Sequence, residues 1–201
     1  MEAVATLGPR VSGAARRVPT WIVYVLGLLP GIWAIFQAFS MVDPVEKLTH
    51  SMGLIALQFL LTSLCVTPLL RFARINLIKF RKALGLLAFG YLTVHFLVWL
   101  LLDLQLMWGQ IGTDIVKRPY LTLGFAGFVL LIPLAATSFQ RAMKWMGPLA
   151  WARLHRLVYL TALLGGVHFI MQEKVWTTES MVYLALAVLL VGLRFTWIRR
   201  W

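Results

Sequence analysis

The sequence has 201 residues, of which 61% are hydrophobic and only 13% are charged. This composition excludes an ordinary soluble domain, because it supplies too few polar side chains to cover a surface in water. The formal net charge is +12, but the basic residues lie in short clusters between apolar runs, which indicates membrane-topology charges and no nucleic-acid partner. The single cysteine, Cys65, provides no disulfide framework and no cysteine-based metal site. We therefore interpret the chain as an integral membrane protein in a lipid bilayer.

Six apolar segments follow one another along the chain, each close to the roughly 20 residues that a helix needs to cross about 30 Å of hydrocarbon. Backbone groups in lipid must be hydrogen-bonded within their own segment, so we predict that all six are helices. The predicted fold is all-α: a polytopic six-transmembrane-helix bundle at residues 21–201, preceded by an N-terminal segment at residues 1–20. The six segments are 21–41, 50–70, 84–105, 119–138, 150–171 and 178–198.

The distribution of charge predicts how the segments cross the membrane. All 19 Lys and Arg residues fall on the side of the N-terminus except Lys47, Lys117, Arg118 and Lys174. Because basic residues are retained in the cytoplasm, both termini are predicted to be cytoplasmic, and residues 1–20 form a cytoplasmic segment. Six of the seven acidic residues lie on the opposite side: Asp43, Glu46, Asp103, Asp114, Glu173 and Glu179.

Histidines in the third and fifth segments lie at comparable depths, since both segments run outward. His95 follows Arg81 by 14 residues and His168 follows His155 by 13, which corresponds to about 20 Å at a rise of roughly 1.5 Å per residue. His95 is therefore predicted to match His168 in depth, near the outer side. Arg81 is predicted to match His155, near the cytoplasmic side.

Two imidazoles at one depth on neighbouring helices can bind a haem iron from opposite faces. His95 and His168 meet this requirement, and small residues at Gly90, Gly165 and Gly166 would let a macrocycle approach the backbone. The alternative for any single membrane histidine is a hydrogen bond to a neighbour or a position in a water-filled cavity.

His50, at the outer start of the second segment, is not included among the predicted ligands, since a polar residue is common at the interface.

The angular positions of the residues around each helix also bear on the ligand set. At about 100° per residue, Arg81 and His95 share a face, whereas His155 and His168 lie about 140° apart. Both can face one partner helix only with a tilt or a local distortion of the helix, and Gly165–Gly166 is the predicted place for a distortion.

Four motifs resemble the MsrQ (YedZ) family of haem-binding membrane subunits, within the ferric-reductase-like transmembrane superfamily. They are FRKALGLLAFGYLTVH with a following LLD, KRPYLTLG, LAATS and LHRLVYL. The resemblance covers nearly the whole chain beyond residue 20. It implies a b-type cytochrome of the bacterial inner membrane that passes electrons to a periplasmic, molybdenum-containing methionine sulfoxide reductase for repair of oxidised proteins.

The resemblance also implies the cofactors and their residues. His95, His155 and His168 match the three bundle histidines of the family as haem-iron ligands, for one or two b-type haems. Arg81 stands where the wider superfamily has a fourth histidine, and it either binds haem propionates, ligates a second haem or serves only as a topology charge. FMN is implied as a further cofactor, with electrons coming from the quinone pool or from a cytoplasmic flavin reductase.

The segments contain no polar nucleophile, carboxylate pair or open metal triad, which predicts an electron-transfer subunit of an oxidoreductase system and not its catalytic subunit. Two alternatives stay open. One is a stand-alone ferric or quinone reductase cytochrome. The other is a small proton-coupled transporter, in which the histidines relay protons and the helices break at Pro30 and Pro133.

Overall fold

The computed structural model describes the backbone of residues 2–173 and 175–198, and the side chains of residues 8–173 and 175–194. Lys174, Arg199 and Arg200, which contribute to the topology prediction, lie outside the described residues. The described part of the chain is helical and contains no strand. Its α-helices are α1 Glu2–Arg17, α2 Thr20–Ala38, α3 Pro44–Ala73, α4 Arg81–Val98, α5 Trp108–Lys117, α6 Pro119–Ala136, α7 Gln140–Met146, α8 Pro148–His155, α9 Leu157–Gln172 and α10 Thr178–Ile198.

Five stretches of helix are long and apolar enough to cross a membrane. They are Thr20–Ala38, Pro44–Ala73, Ile78–Asp103, Pro119–Ala136 and Pro148–Gln172, and they coincide with the first five predicted segments. The third begins with a 3₁₀ turn at Ile78–Phe80 and ends in a π-helical turn at Trp99–Asp103. The sixth predicted segment is also helical, as α10, and whether it crosses the membrane stays a prediction.

Three shorter helices occupy regions that the apolar pattern left without structure. Helix α1 lies in the N-terminal segment, α5 joins α4 to α6, and α7 follows α6. Helix α1 is fixed to the end of α3 through Ser12, whose hydroxyl accepts a hydrogen bond from the Asn76 amide at 2.9 Å and lies 3.1 Å from the Arg74 carbonyl. Arg74 ends α3 in the left-handed conformation, with φ of 57°.

Helix α2 packs through a face of small residues. Its buried positions are Gly27, Gly31, Ala34 and Ala38, and small residues let membrane helices approach closely. The Tyr91 hydroxyl of α4 is inserted into α2, donating to the Gly27 carbonyl at 2.6 Å and accepting from the Gly31 amide at 2.9 Å. These two groups are four residues apart, the spacing of a helical hydrogen bond, so the tyrosine joins α4 to α2 at a single turn.

Helix α3 lies at the centre of the bundle. Its buried leucines pack with residues of α4, α6, α9 and α10 in the main hydrophobic core, which contains Leu57, Leu60, Leu61, Leu64, Ala88, Leu131, Leu134, Ala162, Ala187 and Leu190. The opposite side of α3 packs with α2 and α4 in a second core of Ala34, Met52, Ile55, Ala56, Leu87 and Tyr91. The two cores hold α3, α4, α6 and α9 together.

The predicted helix distortion at Gly165–Gly166 is wrong. Helix α9 is continuous from Leu157 to Gln172, and the interruption lies at Arg156, between α8 and α9. Because the chain makes an irregular turn there, the angle of about 140° expected for one continuous helix does not describe His155 and His168. Helices α2 and α6 continue through Pro30 and Pro133, the two positions where the transporter hypothesis requires broken helices.

Candidate functional site

His95 and His168 lie side by side inside the bundle. Their ring centroids are 6.2 Å apart and their ring planes are inclined by 80°. His95 is near the end of α4 and His168 is near the end of α9, so the two imidazoles come from different helices. The structure thus brings together the two histidines that the sequence placed at one depth.

Each of these imidazoles is oriented by a backbone carbonyl. The Nδ1 atom of His95 lies 2.8 Å from the Thr49 carbonyl oxygen, and Nδ1 of His168 lies 2.7 Å from the Tyr120 carbonyl oxygen. A carbonyl only accepts hydrogen bonds, so the ring proton is assigned to Nδ1 in both cases. This tautomer leaves the lone pair on Nε2, which is the arrangement of a histidine that binds a metal.

A glycine lies against each ring, one helical turn beyond the carbonyl. A Cβ atom at Gly53 would be 2.9 Å from Nδ1 of His95, and one at Gly124 would be 2.8 Å from Nδ1 of His168. Both distances are too short for any larger residue, so the two glycines create the space for the rings. Neither glycine is among the residues predicted from the sequence.

The two environments have the same construction. Thr49 and Gly53 are four residues apart on α3, and Tyr120 and Gly124 are four residues apart on α6. His95 follows Thr49 by 46 residues and His168 follows Tyr120 by 48. The four-residue spacing between carbonyl and glycine is the same on α3 and α6, but it can be recognised only once the structure shows which carbonyls face the two rings.

The two rings line a cavity that is apolar on one side and polar at one end. Its apolar wall includes Leu57, Leu60, Leu92, Phe128 and Leu131. At the end where α3 and α6 begin, the lining becomes polar, with His50, Asp103, Arg118, Tyr120 and Gln172. We call this polar end the mouth of the cavity. It corresponds to the outer side in the predicted topology.

Two polar contacts shape the mouth. His50 is exposed, and its Nδ1 lies 3.3 Å from the side-chain amide of Gln172. Arg118 contacts Asp114 through Nε at 3.4 Å and the Tyr120 hydroxyl through Nη1 at 3.4 Å. The hydrogen bond that Arg118 donates to the Tyr120 hydroxyl and the negative charge of Asp114 raise the pKa of Arg118, so its guanidinium stays protonated.

A second cavity lies toward the other end of the bundle and contains the remaining predicted site residues. Arg81 and His155 both line it, together with Lys82 and Arg156. Leu60 and Leu131 line both cavities, so the two cavities are adjacent. The rings of Phe89 and Phe128, one from each lining, stack across the gap with centroids 6.1 Å apart.

His155 has a different environment from the other two histidines. Its ring stacks on Trp151 with centroids 4.0 Å apart, and its Nε2 lies 3.0 Å from the Thr137 hydroxyl. That hydroxyl donates its only hydrogen to the Pro133 carbonyl at 2.6 Å, so Nε2–H of His155 donates to Thr137. The lone pair of His155 is therefore on Nδ1, opposite to the assignment for His95 and His168.

Only one of the three glycines proposed to accommodate a macrocycle lies at the first cavity. Gly165 belongs to its lining. Gly90 is exposed, with nothing within 4 Å of an added Cβ, and Gly166 faces Leu184 and Ala187 of α10. The expectation for Gly90 and Gly166 is therefore wrong. The small residues that matter are on the helices opposite the histidines.

Comparison with known proteins supports one family. Residues 49–166 match the family model described as ferric reductase like transmembrane component. A relative from Agrobacterium fabrum, named protein-methionine-sulfoxide reductase heme-binding subunit MsrQ, is 44% identical over 177 residues, which cover 87% of this chain and 82% of the relative. The chain belongs to the MsrQ family.

Further MsrQ relatives agree with this assignment. The protein of the same name from Rhizobium meliloti is 40% identical over 96% of this chain and 89% of its own length, and that from Brucella anthropi is 38% identical over 91% and 84%. No solved structure matches the chain. The family model includes Thr49, Gly53, His95 and Gly124, and it ends two residues before His168. With several apolar helices of spanning length, this MsrQ family member is a multi-pass membrane protein.

Proposed function

We propose that the chain is a b-type cytochrome that binds haem between His95 and His168 and passes electrons across the bacterial inner membrane. Its proposed acceptor is a periplasmic, molybdenum-containing methionine sulfoxide reductase that repairs oxidised proteins. The names of the MsrQ relatives, which describe a heme-binding subunit of a protein-methionine-sulfoxide reductase, support this function. In the proposed topology the chain crosses the membrane six times, with α10 as the sixth span, and both termini are in the cytoplasm.

The observation that carries the proposal is the spacing of the two imidazoles. A metal lies about 2.0 Å from an imidazole nitrogen, which is itself about 1.2 Å from the centre of its ring, so two axial rings on one iron have centres about 6.4 Å apart. The centroids of His95 and His168 are 6.2 Å apart. The residues present therefore fit a haem with two histidine ligands.

The chain's own residues determine how such a haem would behave. Haem supplies reversible one-electron chemistry at its iron. The carbonyls of Thr49 and Tyr120 accept hydrogen bonds from Nδ1, which orients both rings and makes Nε2 a stronger electron donor. The apolar wall of the cavity excludes water and favours the iron state of lower charge.

The second cavity is the proposed place where electrons reach the bundle from the cytoplasmic side. Four basic side chains line it, from Arg81, Lys82, His155 and Arg156, and this basic surface suits an anionic cofactor. We assign to it the FMN or second haem that the family resemblance implies, reduced by the quinone pool or a cytoplasmic flavin reductase. The stacked pair Phe89 and Phe128 spans the short apolar layer between this cavity and the haem.

Purification of the wild-type protein in detergent tests this function. We expect a haem-to-protein ratio of at least about one and a low-spin spectrum that changes on reduction with dithionite. The reduced protein should be reoxidised by the periplasmic reductase together with methionine sulfoxide. A folded protein without haem would contradict the proposal. Rapid reoxidation by ferric ion or a quinone, without any by the reductase, would instead identify the stand-alone reductase.

A further inference from the structure

The first cavity has charged side chains at one end only, as far as its described lining shows. Its interior is lined mainly by leucines and phenylalanines, whereas His50, Asp103, Arg118, Tyr120 and Gln172 are gathered at the mouth. A haem is equally one-sided, because its two propionates lie on one edge of an otherwise apolar disc. Burying a carboxylate without a partner is costly. The propionate edge must therefore face the mouth, whichever histidine lies on which face of the ring.

Among the described residues that line this cavity, Arg118 is the only one whose side chain has a permanent positive charge. Its guanidinium has five N–H donors. Nε contacts Asp114 and Nη1 contacts the Tyr120 hydroxyl, while Nη2 has no hydrogen-bond partner among the described residues. The side chain is about half exposed, at 52%, so it is free to turn toward an anion at the mouth.

The neighbouring charges make this arginine necessary. Asp103 lines the same end of the cavity, and Asp114 is the ion-pair partner of Arg118. Without a cation between them, these two carboxylates would repel the propionates. Helix α6 begins at Pro119, directly after Arg118, so the positive end of its dipole also lies at the mouth and favours an anion there.

We infer that Arg118 binds the propionates of the haem held between His95 and His168, and thereby fixes the exposed edge of that haem toward the predicted periplasmic side. The inference rests on the proposed function, because it requires that haem. It gives a binding role to one of the four basic residues that the predicted topology leaves on the outer side. It also identifies the mouth as the edge through which an electron leaves toward a periplasmic acceptor.

The variant Arg118→Gln tests this role, with Lys117→Gln as a matched control. Lys117 is the adjacent residue, carries the same charge, is exposed and does not line the cavity. In Arg118→Gln we expect haem to be lost to apomyoglobin about ten-fold faster, in keeping with the loss of a charge-assisted hydrogen bond. We also expect a lower midpoint potential, because a nearby positive charge favours the ferrous state. Lys117→Gln should match the wild type in both measurements.

Reconstitution with the dimethyl ester of haem separates the propionate contact from a general effect of charge or folding. The ester has no carboxylate, so Arg118→Gln and the wild type should lose it at the same rate. Equal rates for the two proteins with ordinary haem, or the same ten-fold difference with the ester, would overturn the inference while leaving the haem site intact. Absence of haem from the wild type would instead refute the proposed function.

Discussion

Gly53 lies so close to His95 that a Cβ atom at this position would be 2.9 Å from Nδ1 of the ring. The same relationship holds between Gly124 and His168. In both cases the glycine is one turn beyond the carbonyl that accepts the Nδ1 hydrogen bond. Each histidine is therefore positioned by two groups of the opposite helix, one that attracts the ring and one that leaves room for it.

We predict that Gly53→Ala and Gly124→Ala each displace a histidine ring and weaken haem ligation. The added methyl group forces the ring to shift, so the low-spin absorption band should fall or change toward a high-spin spectrum, and haem content should drop several-fold. Helix propensity changes in the opposite direction, since alanine is favoured over glycine by about 1 kcal/mol. Reduced folding is therefore not the expected cause, and the amount of membrane-inserted protein should be unchanged.

The control for this pair is Gly90→Ala, also within a helix but with nothing within 4 Å of the added Cβ. Its absorption spectrum and haem content should equal those of the wild type. Wild-type spectra in both Gly53→Ala and Gly124→Ala would show that the close contacts do not position the rings.

Arg81 should influence the cytoplasmic side through the second cavity. We predict that Arg81→Ala changes the spectrum or the midpoint potential of the component bound there, because it removes a positive charge from the lining. Arg71→Ala, in the last turn of α3 and outside both linings, should have no such effect. Redox titration of both variants is the measurement. Equal and negligible changes would leave Arg81 as a topology charge.

His155 should act separately from the other two histidines. We predict that His155→Ala keeps the haem band of the His95–His168 site and slows its reduction by a cytoplasmic-side donor, measured by stopped-flow absorption. Thr137→Val should reproduce part of this effect, because the hydroxyl holds Nε2 of His155. Ser138→Ala is the control, since its hydroxyl lines the same cavity and bonds the Leu134 carbonyl. Loss of the entire haem signal in His155→Ala would contradict this separation.

Much of the bundle could be predicted from the sequence, because apolar length and charge are properties of single segments. All six apolar segments are helical, and five of them are long and apolar enough to cross a membrane within the described residues. Counting residues from Arg81 and His155 was sufficient to match the depths of His95 and His168, since the rise per residue hardly varies between helices. Helix boundaries were less well predicted, as α3 begins at Pro44 and ends at Ala73, beyond both ends of the predicted segment.

The details of the site could not be predicted, because they depend on how helices face one another. Carbonyl groups such as those of Thr49 and Tyr120 are present at every residue, so the sequence does not show which of them accepts a side-chain hydrogen bond. The turn at Arg156 changes the rotation of α9 relative to α8 and follows no glycine or proline signal at that position. The role of Gly53 and Gly124 became visible only when the two helical pairs were compared.

The predicted topology can be measured with reporter fusions. We predict that fusions at residues 45, 110 and 175 report the periplasm and that fusions at residues 76 and 145 report the cytoplasm. The reason is that the basic residues are concentrated on the side predicted to be cytoplasmic. A reversed pattern would place the mouth of the first cavity on the cytoplasmic side. It would remove the proposed route to a periplasmic acceptor.

The ligation of haem by His95 and His168 is tested most directly by the haem-to-protein ratio and absorption spectrum of His95→Ala and His168→Ala, with His50→Ala as the control. His95→Ala and His168→Ala each remove one of the two proposed histidine ligands of the same iron. Both should therefore remove the same low-spin signal while the protein stays inserted in the membrane. His50→Ala should keep that signal, because His50 lies at the mouth and contacts Gln172. Full haem retention with wild-type low-spin spectra in both His95→Ala and His168→Ala would contradict the assignment.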